Sequence, residues 1–293
     1  MKKWALRFFK LSLLFTIIGF GITLHYLLPR LIIDTKITRP VIKSALNPNT
    51  SKVHFSSFDN AEMWGLWGKT ESESKGTVIL LHGIRGYKEY FNGLTAQLND
   101  SGYNTLALDL RAHGRSGGKY CTYGYHEKKD LEAAVDFLLS LPNADSTIGL
   151  WGQSLGGAIA YQALENDKRL KFGIIESTFS NLETIVHDYS DRMFGFNIEW
   201  VDNYALNRAG TMADFKPYEV SPLASAANVT QPMLVAHGTE DENIKFEYGK
   251  ANFDNLASEN KKFLAIKGAG HNTLWQVGGE EYRQQVYQFL ARL

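Results

Sequence analysis

The sequence predicts an α/β protein: a mostly parallel central sheet covered by helices on both faces, with a small helical cap and an N-terminal transmembrane helix. Three observations carry this. Short apolar runs of strand type alternate with amphipathic runs of helix length from about residue 77 to the C-terminus. An aromatic-rich stretch of about forty residues, Ser177–Ser221, interrupts the alternation. An eighteen-residue apolar run, Leu11–Leu28, follows a basic N-terminus.

The run LSLLFTIIGFGITLHYLL would span roughly 27 Å as a helix, close to the hydrocarbon thickness of a bilayer. It lacks the polar stripe of a core helix, and its end, Tyr26-Leu27-Leu28-Pro29-Arg30, lacks the small-residue cleavage site of a signal peptide. It therefore reads as an uncleaved anchor over residues 1–30. Lys2, Lys3, Arg7 and Lys10 precede it. The positive-inside rule then leaves the N-terminus in the cytoplasm and the body of the chain on the other side. Residues 31–51, with their prolines and scattered charge, read as a linker. The remainder, 52–293, reads as one domain with a cap inserted over 178–220.

Val53–Phe58 and Met63–Trp67 flank Asp59-Asn60 as an antiparallel hairpin. Strands are expected at Thr77–Leu81, Asn104–Leu110, Thr147–Trp151, Phe172–Ile175, Pro232–Ala236 and Lys262–Ile266. Helices are expected at Lys88–Leu98, His126–Leu141, Leu155–Leu164 and Glu280–Leu293. The 293 residues carry 31 Lys plus Arg against 31 Asp plus Glu, so no global field favours nucleic acid as a partner. Cys121 is the single cysteine, which rules out an internal disulfide.

Chemistry enters at Gly152-Gln153-Ser154-Leu155-Gly156. A strand leads directly into this pentapeptide and a small-residue helix leaves it, the context a nucleophilic serine on a tight turn requires. Serine needs a base to take its proton. Of the eight histidines, His271 lies in a glycine-flanked loop between the last strand and the last helix, whereas His237 suits a supporting role at its strand end. The base needs a carboxylate, and Gly238-Thr239-Glu240-Asp241-Glu242 follows the preceding strand. Asp241 is the expected acid, with Glu240 as the alternative. The backbone N–H groups of Leu155 and Ile84 are the expected oxyanion donors, Ile84 from the loop His82-Gly83-Ile84-Arg85-Gly86. Arg111, His113 and Arg115 form a basic cluster, read as a structural ion-pair site with Glu127 or Asp130 rather than an anion-binding one. No metal or organic cofactor is implied.

These segments, in this order, resemble the alpha/beta hydrolase superfamily from about Lys52 to Leu293. The block Asp109–Gly118 is similar to that of monoacylglycerol lipases and serine aminopeptidase-like hydrolases. Tyr123–Asp130 and Ser221-Pro222-Leu223 resemble a membrane-anchored bacterial subgroup of prolyl oligopeptidase-like and serine aminopeptidase-like enzymes. The resemblance implies a Ser154–His271–Asp241 serine hydrolase acting on an ester or related acyl bond of a small or lipid-like substrate. A membrane-tethered aminopeptidase-like enzyme is the alternative, which would need acids such as Glu183, Asp188, Asp191, Glu199, Asp202 or Asp214 to grip an ammonium group. A non-catalytic binding module is the third reading. No propeller precedes the hydrolase region, which argues against a true oligopeptidase.

Overall fold

A computed structural model describes residues 2–35, 47, 49–196 and 198–293. Most of the expected linker, 36–46 and 48, lies outside the described residues. One apolar helix long enough to cross a membrane spans Trp4–Ile33, with mean hydropathy 1.9 and none of its apolar window buried. It is built from α1 (Lys2–Ile22), a π turn (Thr23–Leu27) and α2 (Leu28–Ile33).

The hairpin forms as the sequence indicates, with β1 (Thr50–Ser56) antiparallel to β2 (Glu62–Gly68). Next come β3 (Thr77–Leu81), α3 (Asn92–Asp100), β4 (Asn104–Leu108), α4 (Glu127–Leu139), β5 (Ile148–Gln153), α5 (Leu155–Asn166) and β6 (Leu170–Glu176). Two cap helices follow, α6 (Leu182–Phe194) and α7 (Glu199–Ala213), then a short α8 (Pro222–Ala226). The chain closes with β7 (Met233–Gly238), α9 (Phe246–Asp254), β8 (Lys261–Ile266) and α10 (Leu274–Leu290).

The described strands form one eight-stranded sheet in the order β1-β2-β4-β3-β5-β6-β7-β8. Only the β1–β2 and β2–β4 pairs are antiparallel. A parallel sheet buries both faces, so its strands are continuously apolar rather than alternating. In β3, Val78, Ile79, Leu80 and Leu81 are all fully buried, each worth about 1.5–3 kcal/mol of transfer free energy. Alternate residues serve opposite cores. Ile79 and Leu81 join α4 and α5, while Val78 and Leu80 join α3 and α10.

Three local features differ from expectation. The turn Lys88–Phe91 is 3-10 rather than α. There the buried Asp109 carboxylate accepts the Lys88 N–H at 2.9 Å and its Nζ at 2.6 Å, drawing the turn tight. The final helix begins six residues early, at Leu274, and breaks at Gly279 (φ 54°, ψ −140°). Helix α9 shows little helical pattern in the sequence, because the residues it buries are Gly249 and the polar Asn252, with Tyr248 and Phe253 only partly covered. Gly249 is there to admit His237, whose Nδ1 would sit 2.1 Å from any Cβ at that position.

Candidate active site

Ser154 occupies the turn between β5 and α5 at φ 55° and ψ −116°, a conformation that costs an L-residue strain and is held only by its surroundings. The Ser154 N–H donates to the Glu176 carbonyl (2.8 Å), and the Thr178 hydroxyl donates to the Ser154 carbonyl (2.8 Å). The flanking glycines are required by contact. A Cβ at Gly152 would lie 2.3 Å from the Gly156 carbonyl oxygen, and one at Gly156 would lie 2.1 Å from that of Leu81. Strand β3 therefore presses directly against the turn. Leu155 is the first residue of α5, at a helix N-terminus where N–H groups point outward.

Strand β3 also launches the loop that contains Ile84. His82 ties that loop down: its Nδ1 lies 2.7 Å from the Gly83 carbonyl, and its Nε2 accepts the Leu110 N–H at 3.1 Å. The result is a Gly83 backbone packed against the serine. A Cβ at position 83 would lie 3.4 Å from the Ser154 Cβ and 3.8 Å from its Oγ.

Asp241 follows β7 and His271 follows β8, so both stand at the same sheet edge as Ser154, where parallel strands end. The two loops dock on each other. The Glu240 N–H donates to the Ala269 carbonyl (3.0 Å), and Gly238 is so close that a Cβ would lie 2.2 Å from the same oxygen. Their side chains meet, with His271 Nδ1 2.8 Å from Asp241 Oδ2. A carboxylate can only accept, so Nδ1 carries the proton and Nε2 is left as the basic nitrogen.

The second carboxylate oxygen, Oδ1, accepts the N–H groups of Asn243 and Ile244, both at 2.9 Å. His237 Nε2 lies 2.9 Å from the Ile244 carbonyl and 3.3 Å from Asp241 Oδ2, buttressing the acid from behind. Burial opposes ionisation of Asp241. The hydrogen bonds from His237, His271 and the Ile244 N–H outweigh it, and hold the carboxyl well below the usual carboxylate range. Glu240, the alternative acid, is exposed to solvent.

An open cleft of about 460 Å³ runs beside this edge. Ser154 and His271 do not line it, but their chain neighbours Gln153 and Asn272 do, together with Tyr90, Glu176, Trp275 and Arg283. Glu176 is a functional candidate that the sequence did not signal. It ends β6, between the serine and acid strands, and accepts the Tyr282 hydroxyl (2.5 Å) and the Trp275 Nε1–H (3.1 Å) on Oε1. Burial pushes its pKa up, against the pull of those hydrogen bonds. Only the folding of α10 over the sheet brings these residues together.

The basic cluster is structural. Arg111 is bidentate to Asp130 (2.6 and 2.9 Å) and to Asp59 (2.7 and 3.0 Å), joining the hairpin to α4. Its guanidinium holds the Asp59 carboxyl down at about 2. Arg115 stacks on Trp64, 4.1 Å from the ring centroid. Glu127 instead accepts the Thr122 and Gly124 N–H groups at the start of α4. Among the described residues no three His, Cys, Asp or Glu side chains gather as a metal site.

Comparison with known proteins agrees with this architecture. Residues 89–293, well over half the chain, match the prolyl oligopeptidase family. The esterase Pf2001 of Pyrococcus furiosus has a similar structure, with a TM-score of 0.71 and 27% identity over 87% of this chain and 97% of that one. The Bacillus subtilis (strain 168) protein YqkD is 26% identical over 230 residues, 75% of this chain and 73% of that protein. Alpha/beta hydrolase domain-containing protein 17C of Xenopus tropicalis is 26% identical over 223 residues, 74% of this chain and 62% of that longer protein. By family and by fold, the chain belongs to the prolyl oligopeptidase family and is a hydrolase of the α/β hydrolase superfamily.

Proposed function

We propose that the protein is a membrane-anchored serine hydrolase that cleaves a carboxylic ester, or a related acyl bond, through an acyl-enzyme intermediate. Ser154 attacks the acyl carbonyl while His271 Nε2 takes its proton. Asp241 holds the imidazole in the required tautomer and stabilises the imidazolium. The oxyanion rests on the N–H groups of Leu155 and Ile84. His271 then returns the proton to the leaving alcohol, and water, activated by the same nitrogen, releases the acid. The 2.8 Å contact between His271 Nδ1 and Asp241, at the sheet edge that also carries the strained Ser154, supports this reading most. An esterase among the structural relatives agrees with it. In the same reading, residues 1–30 are the anchor, 31–51 the linker, 52–293 the catalytic domain with its cap at 178–220, and that domain is extracytoplasmic.

The test is a fluorophosphonate probe together with p-nitrophenyl ester hydrolysis. Ser154→Ala should abolish labelling and lower kcat by about 10⁴-fold or more. Labelling that persists in the variant would reject the assignment.

A peptidase reading draws on the family match and on the resemblance of residues in this chain to a probable dipeptidyl peptidase 4 of Aspergillus flavus, 26% identical over 179 residues but only 21% of that protein. It needs a carboxylate free to grip an ammonium group. Two cap acids are already engaged: Asp188 with Lys245 and Tyr248, and Asp202 with His187 and Ser190. Similarity to an esterase along 97% of that chain, against 21% of the peptidase, puts the ester reading first. Hydrolysis of aminoacyl anilides faster than acyl esters would reverse that order.

A further inference from the structure

The turn between α6 and α7 carries a cluster of exposed apolar side chains. Met193 is 60% exposed, Phe196 59% and Trp200 59%, with Phe194 and Ile198 also exposed beside them. Contiguous apolar surface of this kind on a folded body marks a contact surface.

Its place relative to the N-terminal helix indicates what it contacts. Helix α7 packs along the π turn and α2. His25 Nδ1 lies 2.8 Å from the Tyr204 hydroxyl near the start of α7. Eight residues on, the Ile33 and Ile32 carbonyls accept the Cys121 N–H (3.0 Å) and the Tyr123 hydroxyl (2.5 Å). The same segment reaches the far end of α7, where Tyr125 packs edge-on to Phe215 and His126 Nε2 lies 2.8 Å from the Asp214 carbonyl. His25 to Ile33 rises about 12 Å and Tyr204 to Asp214 about 15 Å, so the two helices run side by side in the same direction. The N-terminal end of α7 thus points back along α1. Trp200 sits about 6 Å, one turn, beyond Tyr204 in that direction, and Ile198, Phe196 and Phe194 lie in the turn beyond it.

Along the N-terminal helix, interfacial-type aromatic residues stand near both ends. Trp4 and Tyr26 are separated by about 33 Å of helix, the hydrocarbon thickness plus its margins. Tyr204, level with His25, is then at the membrane boundary, and the apolar turn is below it.

We infer that the α6–α7 turn is a second membrane contact, inserted at headgroup depth into the leaflet from which the N-terminal helix emerges. This rests on the proposed reading of Trp4–Ile33 as an anchor. The contact clamps the cap to the bilayer. Through α6 it also reaches the loop behind the catalytic acid, where Arg192 donates to the Glu242 and Asn243 carbonyls (3.0 and 3.1 Å).

The experiment uses the full chain in phosphatidylcholine vesicles that contain lipids spin-labelled either near the headgroup or deep in the acyl chain. Cys121 is buried, so single fluorophores can be placed at Phe196→Cys, Phe15→Cys and, as an exposed control on the hairpin side, Glu71→Cys. The headgroup-level label should quench Phe196→Cys at least about twofold more than Glu71→Cys, as expected for interfacial insertion. The deep label should quench Phe15→Cys. Quenching at Phe15→Cys with Phe196→Cys no different from Glu71→Cys would overturn the inference and leave the anchor standing. Quenching at neither would overturn both. A Phe196→Cys probe shielded from aqueous iodide, unquenched by lipid and cross-linked between copies would assign the turn to protein contact and overturn the inference.

Discussion

Replacing Asp241 by Asn tests the proposed chemistry at its most constrained point. Oδ1 accepts two backbone N–H groups, from Asn243 and Ile244, at 2.9 Å. An amide NH₂ cannot sit there without setting donor against donor, so the Asn carbonyl must take that side. Its NH₂ then faces His271 Nδ1 at about the 2.8 Å where Oδ2 now lies. The imidazole must accept at Nδ1 and carry its proton on Nε2, the wrong tautomer for deprotonating a serine. The expected loss is about 10⁴-fold in kcat with the fold intact, or about 5.5 kcal/mol of transition-state stabilisation at 1.36 kcal/mol per decade. The assay is p-nitrophenyl ester turnover, with the rate of fluorophosphonate labelling measured in parallel.

The same substitution has a signature in stability. Asp241 titrates in the folded protein below the ordinary aspartate value of 3.8. It therefore binds fewer protons folded than unfolded in that window, and the stability it contributes is fully present above about pH 4 and is lost as pH falls through the depressed folded value. The stability gap between wild type and Asp241→Asn should be widest at neutral pH and close on acidification. An Asn variant within about tenfold of wild-type kcat would refute the tautomer argument and move the acid's role elsewhere.

Three further outcomes follow from the geometry. Gly156→Ala forces a Cβ to within 2.1 Å of the Leu81 carbonyl oxygen, backbone that cannot yield; it should cost about 1–3 kcal/mol or more in urea denaturation, and a midpoint equal to wild type would contradict the close approach of β3. Arg111→Met strands the buried Asp130 and should destabilise by about 3–5 kcal/mol, while activity per folded molecule is retained; a selective rise in KM for anionic esters would instead make this cluster a substrate site. Burial raises the folded pKa of Glu176 above the ordinary glutamate value of 4.5, so wild-type stability declines as pH rises from there. Glu176→Gln should match wild type near pH 4 and exceed its melting temperature at pH 8, and a gap independent of pH would count against the raised carboxyl.

The readable parts of this protein were those whose physics is local. A strand buried on both faces must be apolar along its length, and Thr77–Leu81 could be bounded to the residue. A serine on a strand-to-helix turn leaves no room for flanking side chains, so Gly152 and Gly156 announced it. Chain order and loop glycines nominated His271, but three neighbouring acids left Asp241 ambiguous. Tertiary structure separates them by burial and by the docking of the Gly238 loop on the Ala269 loop, which turns Asp241 inward and leaves Glu240 in water.

What the sequence determined by itself was the layered sheet, the serine turn and the apolar N-terminal helix, because each depends on a repeat or spacing within one short segment. The folded chain alone decided the Glu176–Trp275–Tyr282 wall of the cleft, the seating of α2 against α7 and the inward turn of Asp241. These join residues about a hundred or more positions apart, or depend on which face of a loop is buried, and no local pattern carries that information.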